Sequence, residues 1–255
     1  MAQRTIHYLF AELISREIPV GDKNRFLLGS VLPDAFADIP QRQITHFKRS
    51  LPGNRTIFDF DAFKEQFGTL ILQDSLYLGY YLHLLEDAFY RRFIYHDHPM
   101  TIDDVDALHR DYHLLNAYIV GKYGLADTVR LPEDFDSEPI CRISSFSVTE
   151  FLLEMEDDFR ETVTGETHFL TEDLLDEFVE RYLPEAIEEA RQVSQGKTCL
   201  RAEEFAYVRK VEYLSILFST SVFSTSECSR QPPGIFLQLG RKTTCKNSDL
   251  VVTYT

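Results

Sequence analysis

The stretch GYYLHLLEDAFYRR, Gly79–Arg92, decides the fold class by its periodicity, and it places ionisable groups inside an apolar run. Apolar residues recur along it at steps of three and four, which predicts an α-helix. His83 and Asp87 then lie one turn apart on one apolar face. A buried carboxylate needs an arginine, a histidine or a metal ion as its partner. Two interpretations stay open, a metal-binding pair and an ordinary core pair in which Asp87 contacts His83 or Arg91.

Helical periodicity dominates the first 210 residues, and no strand alternation is visible there. Proline, glycine and capping residues divide this part of the chain. We expect helices over about 1–21, 22–33, 66–95, 101–123, 148–163 and 171–193, the last kinked at Pro184, and one more from Ala202. Long loops are expected over 37–56 and 125–147. The sequence therefore predicts an all-α protein with one multi-helix domain, residues 1–210.

Residues 211–255 differ from the rest in composition. From Tyr213 onward the chain has seven serines, four basic residues and two acidic ones. The segment reads as a flexible or hairpin-like appendage, or as sequence that is not native, such as a shifted reading frame. We assign it no function.

Composition excludes several classes of protein. The 255 residues carry a net charge of −15, which argues against stable nucleic-acid binding but allows a phosphate-bearing substrate beside metal ions. The four cysteines form no CxxC pair, so neither a zinc ribbon nor a dithiol redox centre is indicated. No signal-peptide pattern and no apolar run long enough to span a bilayer is visible. We expect a soluble cytoplasmic protein with reduced cysteines.

Other histidines and a carboxylate occupy unusual positions in the same part of the chain. His7 flanks the apolar stripe of the first helix, Asp34 follows Pro33 directly, and His46 stands in THF within a loop. Seven of the eight histidines precede residue 114. Each alone is more simply explained as structural. Together with carboxylates they form the donor set of Zn²⁺ or a similar metal.

Two further pairs of histidines extend this set. His109 and His113 share one face of the helix over 101–123, so one ion could meet both imidazoles. His96 and His98, in YHDHPM, are the next candidates for metal ligands.

With these residues the chain resembles the zinc-dependent phospholipase C family and, more distantly, the zinc-dependent single-strand nucleases. The resemblance rests on IHYLF around His7, GSVLPD at 29–34, THF at 45–47, GYYLHLLEDAFYRR and LHRDYHLLNAYI, and covers residues 1 to 125. It implies an all-α fold whose clustered metal ions activate water for attack on a phosphoester.

The resemblance also implies a role for each matching residue. His46, His83 and Asp87 look like ligands of a central metal, and Asp34 looks like the catalytic carboxylate, close enough to bind that metal and to orient or deprotonate the attacking water. His7 looks like a ligand of a further metal. The pair His109 and His113 stands where the family has HxxxE, with histidine in place of glutamate.

The relatives bind a third ion with an N-terminal tryptophan, and this chain contains no tryptophan. We therefore expect two Zn²⁺ ions, with three as the alternative. The expected function is hydrolysis of a phosphate ester, either a small molecule or a lipid headgroup.

Two alternatives remain at this point. The doublet His96–Asp97 resembles the motif of HD-type phosphohydrolases, although it stands two residues before Pro99 rather than inside a helix. The chain is also compatible with a helical metal-binding scaffold that has no catalytic activity.

Overall fold

The structure, a computed structural model, describes residues 2–100 and 103–208. Helices dominate this part of the chain, as predicted: α1 (Arg4–Glu17), α2 (Lys23–Val31), α3 (Ile39–Thr45), α4 (Phe60–Gln73), α5 (Ser75–Arg92), α6 (Asp103–Tyr123), α7 (Val148–Arg160) and α8 (Glu172–Val193). The expectation that no strands occur is wrong. An antiparallel sheet pairs β1 (Lys48–Leu51) with β2 (Arg55–Phe58), and β2 with β3 (Tyr207–Val208).

Helix α5 lies at the centre of the protein. Every residue from Leu76 to Tyr90 is buried, including the ionisable ones. The helix packs against α1, α2, α4 and α8, and one continuous apolar core extends from α1 to β3. A helix that is apolar on nearly every side can be stable only when neighbours surround it. Polar side chains on α5 are therefore held in the interior.

Two glycines allow α2 and α5 to approach until their backbones touch. A Cβ atom on Gly29 would lie 2.0 Å from the carbonyl oxygen of Leu76. A Cβ atom on Gly79 would lie 2.2 Å from the carbonyl oxygen of Phe26. No side chain fits at either position, so this contact fixes α2 against the first turns of α5.

The expectation of a single helix over 66–95 is wrong, because the helix is interrupted at Asp74. The Asp74 carboxylate accepts from the backbone N–H of Leu76 at 2.9 Å and so caps α5. It also accepts from Nε of Arg25 at 2.8 Å. An aspartate side chain that bonds the backbone locally competes with helix continuation, and here the ion pair reinforces the break.

The long loop expected over 37–56 is also wrong, because that segment contains α3 and β1. The Asp38 side chain caps α3 by accepting from the Gln41 N–H at 2.9 Å, and Pro40 stands in the first turn, where no N–H is needed. The turn between β1 and β2 uses Gly53 at φ 78° and Asn54 at φ 55°. Pro40 thus stands at the start of α3, and Gly53 forms part of the turn of the β1–β2 hairpin.

The remaining elements agree with the expectations except at the end of the chain. Helix α6 ends before Gly124, which has φ 61°, and α8 continues through Pro184. The helix expected from Ala202 is only a 3-10 turn, Ala202–Phe205, followed by β3. Residues 101 and 102, at the predicted start of the helix over 101–123, and the segment 211–255 lie outside the described residues. None of the helices in the described ranges is both long and apolar enough to cross a membrane.

We predict that Gly79→Ala destabilises the fold strongly, because the added methyl would meet the backbone of α2 at Phe26 and, 2.9 Å away, at the Ser30 nitrogen. The loss in the free energy of unfolding should be about 3 kcal/mol, at the upper end for overpacking. The matched control is Gly68→Ala in α4, where a Cβ meets nothing within 4 Å and should be neutral or slightly stabilising. Urea unfolding measures both, and equal effects would contradict the packing argument.

Candidate metal centre

The contact between α2 and α5 orients His83. Its Nδ1 lies 2.7 Å from the carbonyl oxygen of Ser30, near the end of α2, where carbonyl groups lack intrahelical donors. A carbonyl can only accept, so we assign the imidazole proton to Nδ1. The lone pair of Nε2 is then directed away from α2 into the interior.

His46 is oriented in the same way at the end of α3. Its Nδ1 lies 3.0 Å from the carbonyl oxygen of Arg42, so this nitrogen carries the proton and Nε2 has the lone pair. The next residue, Phe47, has φ 47°, a conformation in which the chain leaves the helix. The Nε2 atoms of His46 and His83 face each other at 3.3 Å.

Two carboxylates complete this group. Oδ1 of Asp34, which follows Pro33 in a 3-10 turn, lies 3.2 Å from Nε2 of His46. Oδ2 of Asp87 lies 3.7 Å from Nε2 of His46 and 3.9 Å from Nε2 of His83. Within the described residues, no donor reaches this Asp87 oxygen.

His7 joins the group from α1. Its ring stacks on that of His83, with centroids 3.7 Å apart. Its Nε2 lies 3.6 Å from Oδ1 of Asp87, which also accepts from the Ala2 N–H at 2.9 Å. Its Nδ1 contacts the buried carboxylate of Glu86 at 2.8 Å. Asp87 therefore turns one oxygen towards His7 and the other towards His46 and His83.

The charges of these groups follow from burial and from one another. Burial lowers the pKa of His46, and it lowers that of His83 to about 3, so both imidazoles are neutral at pH 7. Burial alone would raise the pKa of Asp34 and of Asp87. The positive charge of the buried His7 helps to hold the pKa of Asp34 below its ordinary value and that of Asp87 well below it. Imidazole nitrogens and carboxylate oxygens that carry no proton therefore lie close together in the interior.

This arrangement suits a metal ion. Zn²⁺ binds imidazole nitrogen at about 2.0–2.1 Å, so neighbouring ligand atoms around a tetrahedral ion lie roughly 3.3 Å apart. The four contacts joining Asp34, His46, His83 and Asp87 measure 3.2, 3.3, 3.7 and 3.9 Å. His46 and His83 each also donate the N–H of the other ring nitrogen to a backbone carbonyl, as metal-binding histidines do to an acceptor. A second set, His7, His83 and Asp87, also has ligand atoms within 4.8 Å of one another.

The structure brings together five of the predicted site residues and directs the other four to different contacts. His113 lies on the exposed side of α6, 3.3 Å from Glu161, and its ligand atom is within 4.8 Å of those of Glu161 and Asp158. His109 is exposed. His96 contacts Asp97 and His98 contacts Glu177, both at 3.0 Å. A second metal site on His109 and His113 stays a prediction.

Sequence reasoning missed Glu86. It is the neighbour of Asp87 in the LLED run and is 1% exposed, yet consecutive positions do not share a helix face. Its carboxylate reaches His7 because α1, which carries His7, packs on the side of α5 where Glu86 lies. A doublet of two acids inside an apolar run was the only available signal.

A cleft of about 320 Å³ leads from the surface to Asp34, whose side chain is 11% exposed. Residues from α1, α3, α6 and α7 form its walls. Its lining includes Arg4, Asp34, Phe36, Arg42, Tyr112 and Phe151, together with His109 and His113. A molecule that reaches the group of imidazoles and carboxylates from solvent can do so through this cleft.

Comparison with known proteins adds no identification, because no protein-family model, curated protein or solved structure matches the chain.

We predict that Asp87→Asn removes at least one Zn²⁺ per chain and keeps the helical content, because an amide replaces a carboxylate that lies 3.6–3.9 Å from the ring nitrogens of His7, His46 and His83. The control is Asp111→Asn. Asp111 is 1% exposed and accepts three backbone N–H bonds from 168–170, away from the centre. That control should lose about 1–3 kcal/mol of stability and no metal. Metal analysis and circular dichroism measure both, and unchanged metal in Asp87→Asn would refute the assignment.

We also predict that zinc binding at His7 strengthens as pH rises. Burial lowers the pKa of His7, but the nearby carboxylates of Asp87 and Glu86 outweigh this and raise the pKa to about 10. Below pH 10 the ion-free imidazole is therefore protonated, and an ion must displace that proton from Nε2. The apparent affinity should rise about tenfold per pH unit between pH 6.5 and 8.

Calorimetry in buffers of different ionisation enthalpy should detect about one proton released per ion at this site. His7→Ala should abolish that proton release while keeping the ion at His46 and His83. Binding without proton release in the unaltered chain would contradict the role of His7.

Proposed function

We propose that this protein is a metal-dependent hydrolase of phosphate esters, with Zn²⁺ as its metal. The observation that supports it best is the convergence of bare imidazole nitrogens and carboxylate oxygens at the inner end of a cleft. A set of acceptors that carries no proton is costly in the interior unless a cation binds it. The resemblance of the sequence to zinc-dependent phospholipases C supports the same function.

In this proposal His46, His83 and Asp87 would hold the central ion, and His7 and Asp87 would hold a further ion. The carbonyl groups of Ser30 and Arg42 and the carboxylate of Glu86 keep the three imidazoles in the required tautomers and orientations. When bound, zinc lowers the pKa of water to about 7 and stabilises negative charge that develops on phosphate oxygens.

Asp34 has the position and the charge of a general base. It faces both the metal ligands and the cleft, and its low pKa makes it an anion at neutral pH. Its carboxylate can orient a water molecule and accept a proton as the water oxygen bonds to phosphorus. The bond from phosphorus to the leaving oxygen then breaks, and the proton passes to that oxygen. Atoms and charge are thereby conserved.

The HD-type alternative is less well supported. His96 is 80% exposed, and Asp97 accepts from the Tyr182 hydroxyl at 3.0 Å and pairs with Arg181 at 3.1 Å. This doublet is part of a surface contact with α8 and does not join the buried group of His7, His46 and His83.

Hydrolysis of bis(4-nitrophenyl) phosphate and 4-nitrophenyl phosphate by the zinc-loaded chain tests the proposal. Chelation should abolish turnover and added Zn²⁺ should restore it. Metal retained without turnover of either compound would favour the non-catalytic scaffold instead.

We predict that Asp34→Asn lowers turnover by more than about tenfold, the usual contribution of a general base. The melting temperature should change little, because the side chain is at the cleft and does not support the core. Asp136→Asn, at an exposed carboxylate, is the control and should keep full activity. Normal turnover per folded molecule in Asp34→Asn would exclude the general-base role.

A further inference from the structure

The walls of the cleft carry two arginines, each stacked on a phenylalanine. The guanidinium of Arg4 lies 5.4 Å from the ring centroid of Phe151, and that of Arg42 lies 5.6 Å from the centroid of Phe36. All four side chains line the same space as Asp34. Stacking uses the flat face of a guanidinium, whereas its N–H donors lie in the plane.

The two arginines stand on different helices. Arg4 hydrogen-bonds Asp158 and also donates to Glu154 at 2.9 Å, so α7 fixes it as part of the wall. Arg42 stands on α3, and its backbone carbonyl orients His46 while its side chain lines the cleft. A change of the Arg42 side chain therefore leaves the carbonyl that positions the metal ligand.

The frame around these arginines is rigid. The backbone of Phe36 forms a β-bridge with Phe146, and the N–H of Ser147 donates to the carbonyl of Ala35 at 2.8 Å. These bonds join the Asp34 turn to the start of α7, which carries Phe151. The distance from Asp34 to both stacked pairs is thus set by the fold.

We propose that Arg42, with Arg4 in the same cleft, forms a subsite for a second anion, so that the preferred substrate is a small organic phosphate with a further negative group. The second group is a carboxylate or another phosphate, and an apolar or aromatic part lies between the anions against Phe36, Phe151 and Tyr112. This inference rests on the proposed function, because the first phosphate is the one bound beside Asp34.

The chemistry of a guanidinium at Arg42 favours a second anion over a quaternary ammonium group at this position. The chain has a net charge of −15, so an anion approaches against the overall field unless cations lie along its path. A guanidinium binds carboxylate and phosphate through paired N–H bonds, and it repels a quaternary ammonium group. A volume of about 320 Å³ suits a compact ligand.

Two inert probes test the subsite by calorimetry on the zinc-loaded full chain: benzylphosphonate and 4-carboxybenzylphosphonate, which differ only in the second anion. The unaltered chain should bind the carboxylate probe about tenfold more tightly, as expected for one charge-assisted contact. In Arg42→Gln this preference should disappear, and in Arg42→Lys part of it should remain. Arg16→Gln, at an exposed residue near the other end of α1, should keep the full preference.

Equal affinities for the two probes in the unaltered chain, or a preference that survives Arg42→Gln, would overturn the subsite while leaving the proposed hydrolase intact. Failure of the zinc-loaded chain to bind either phosphonate would contradict both. Sedimentation with phosphatidylcholine vesicles containing phosphatidic acid separates a lipid source of the anion from a soluble one. We expect no co-sedimentation, and co-sedimentation that Arg42→Gln abolishes would overturn the small-molecule class.

Discussion

One carboxylate, that of Asp87, is buried at the centre of the protein on a helix with no exposed face between residues 76 and 90. In the described residues one of its oxygens meets no donor, and two neutral imidazoles turn lone pairs towards it. The imidazolium of His7 lies 3.6 Å from the other oxygen of Asp87 and compensates part of this charge, and a bound cation would supply the partner that the second oxygen lacks. In the proposed function, His7, His46 and Asp34 surround this point as ligands of that cation.

The class of the fold was predictable because long periodic segments dominate the chain. The points where helices end and strands begin were not predictable, because they depend on contacts between residues distant in sequence. Asp74 ends a helix with the help of Arg25, 49 residues earlier, and β2 becomes central in its sheet only by pairing with Tyr207–Val208. Proline and glycine signal a change of direction, but they do not say whether a helix start or a hairpin follows.

The residues of the buried cluster were predictable from spacing and from the family resemblance, since His83 and Asp87 share a helix face, Asp34 follows Pro33 and His46 stands in THF. Their role as metal ligands is a proposal. The supporting acceptors were not predictable, because two of them are backbone carbonyls, at Ser30 and Arg42, and carry no sequence signature. The close contact of α2 and α5 that delivers the Ser30 carbonyl depends on glycines, which are common and ambiguous in sequence. The sequence motif therefore identifies the side chains of the site, and only the structure shows which backbone groups orient them.

X-ray absorption at the zinc edge of protein purified without chelators tests the central claim most directly. The account predicts bound zinc with nitrogen and oxygen neighbours at about 2.0–2.2 Å and outer-shell scattering from at least two imidazoles. Protein free of metal, zinc with sulfur neighbours at about 2.3 Å, or zinc without imidazole scattering would contradict it.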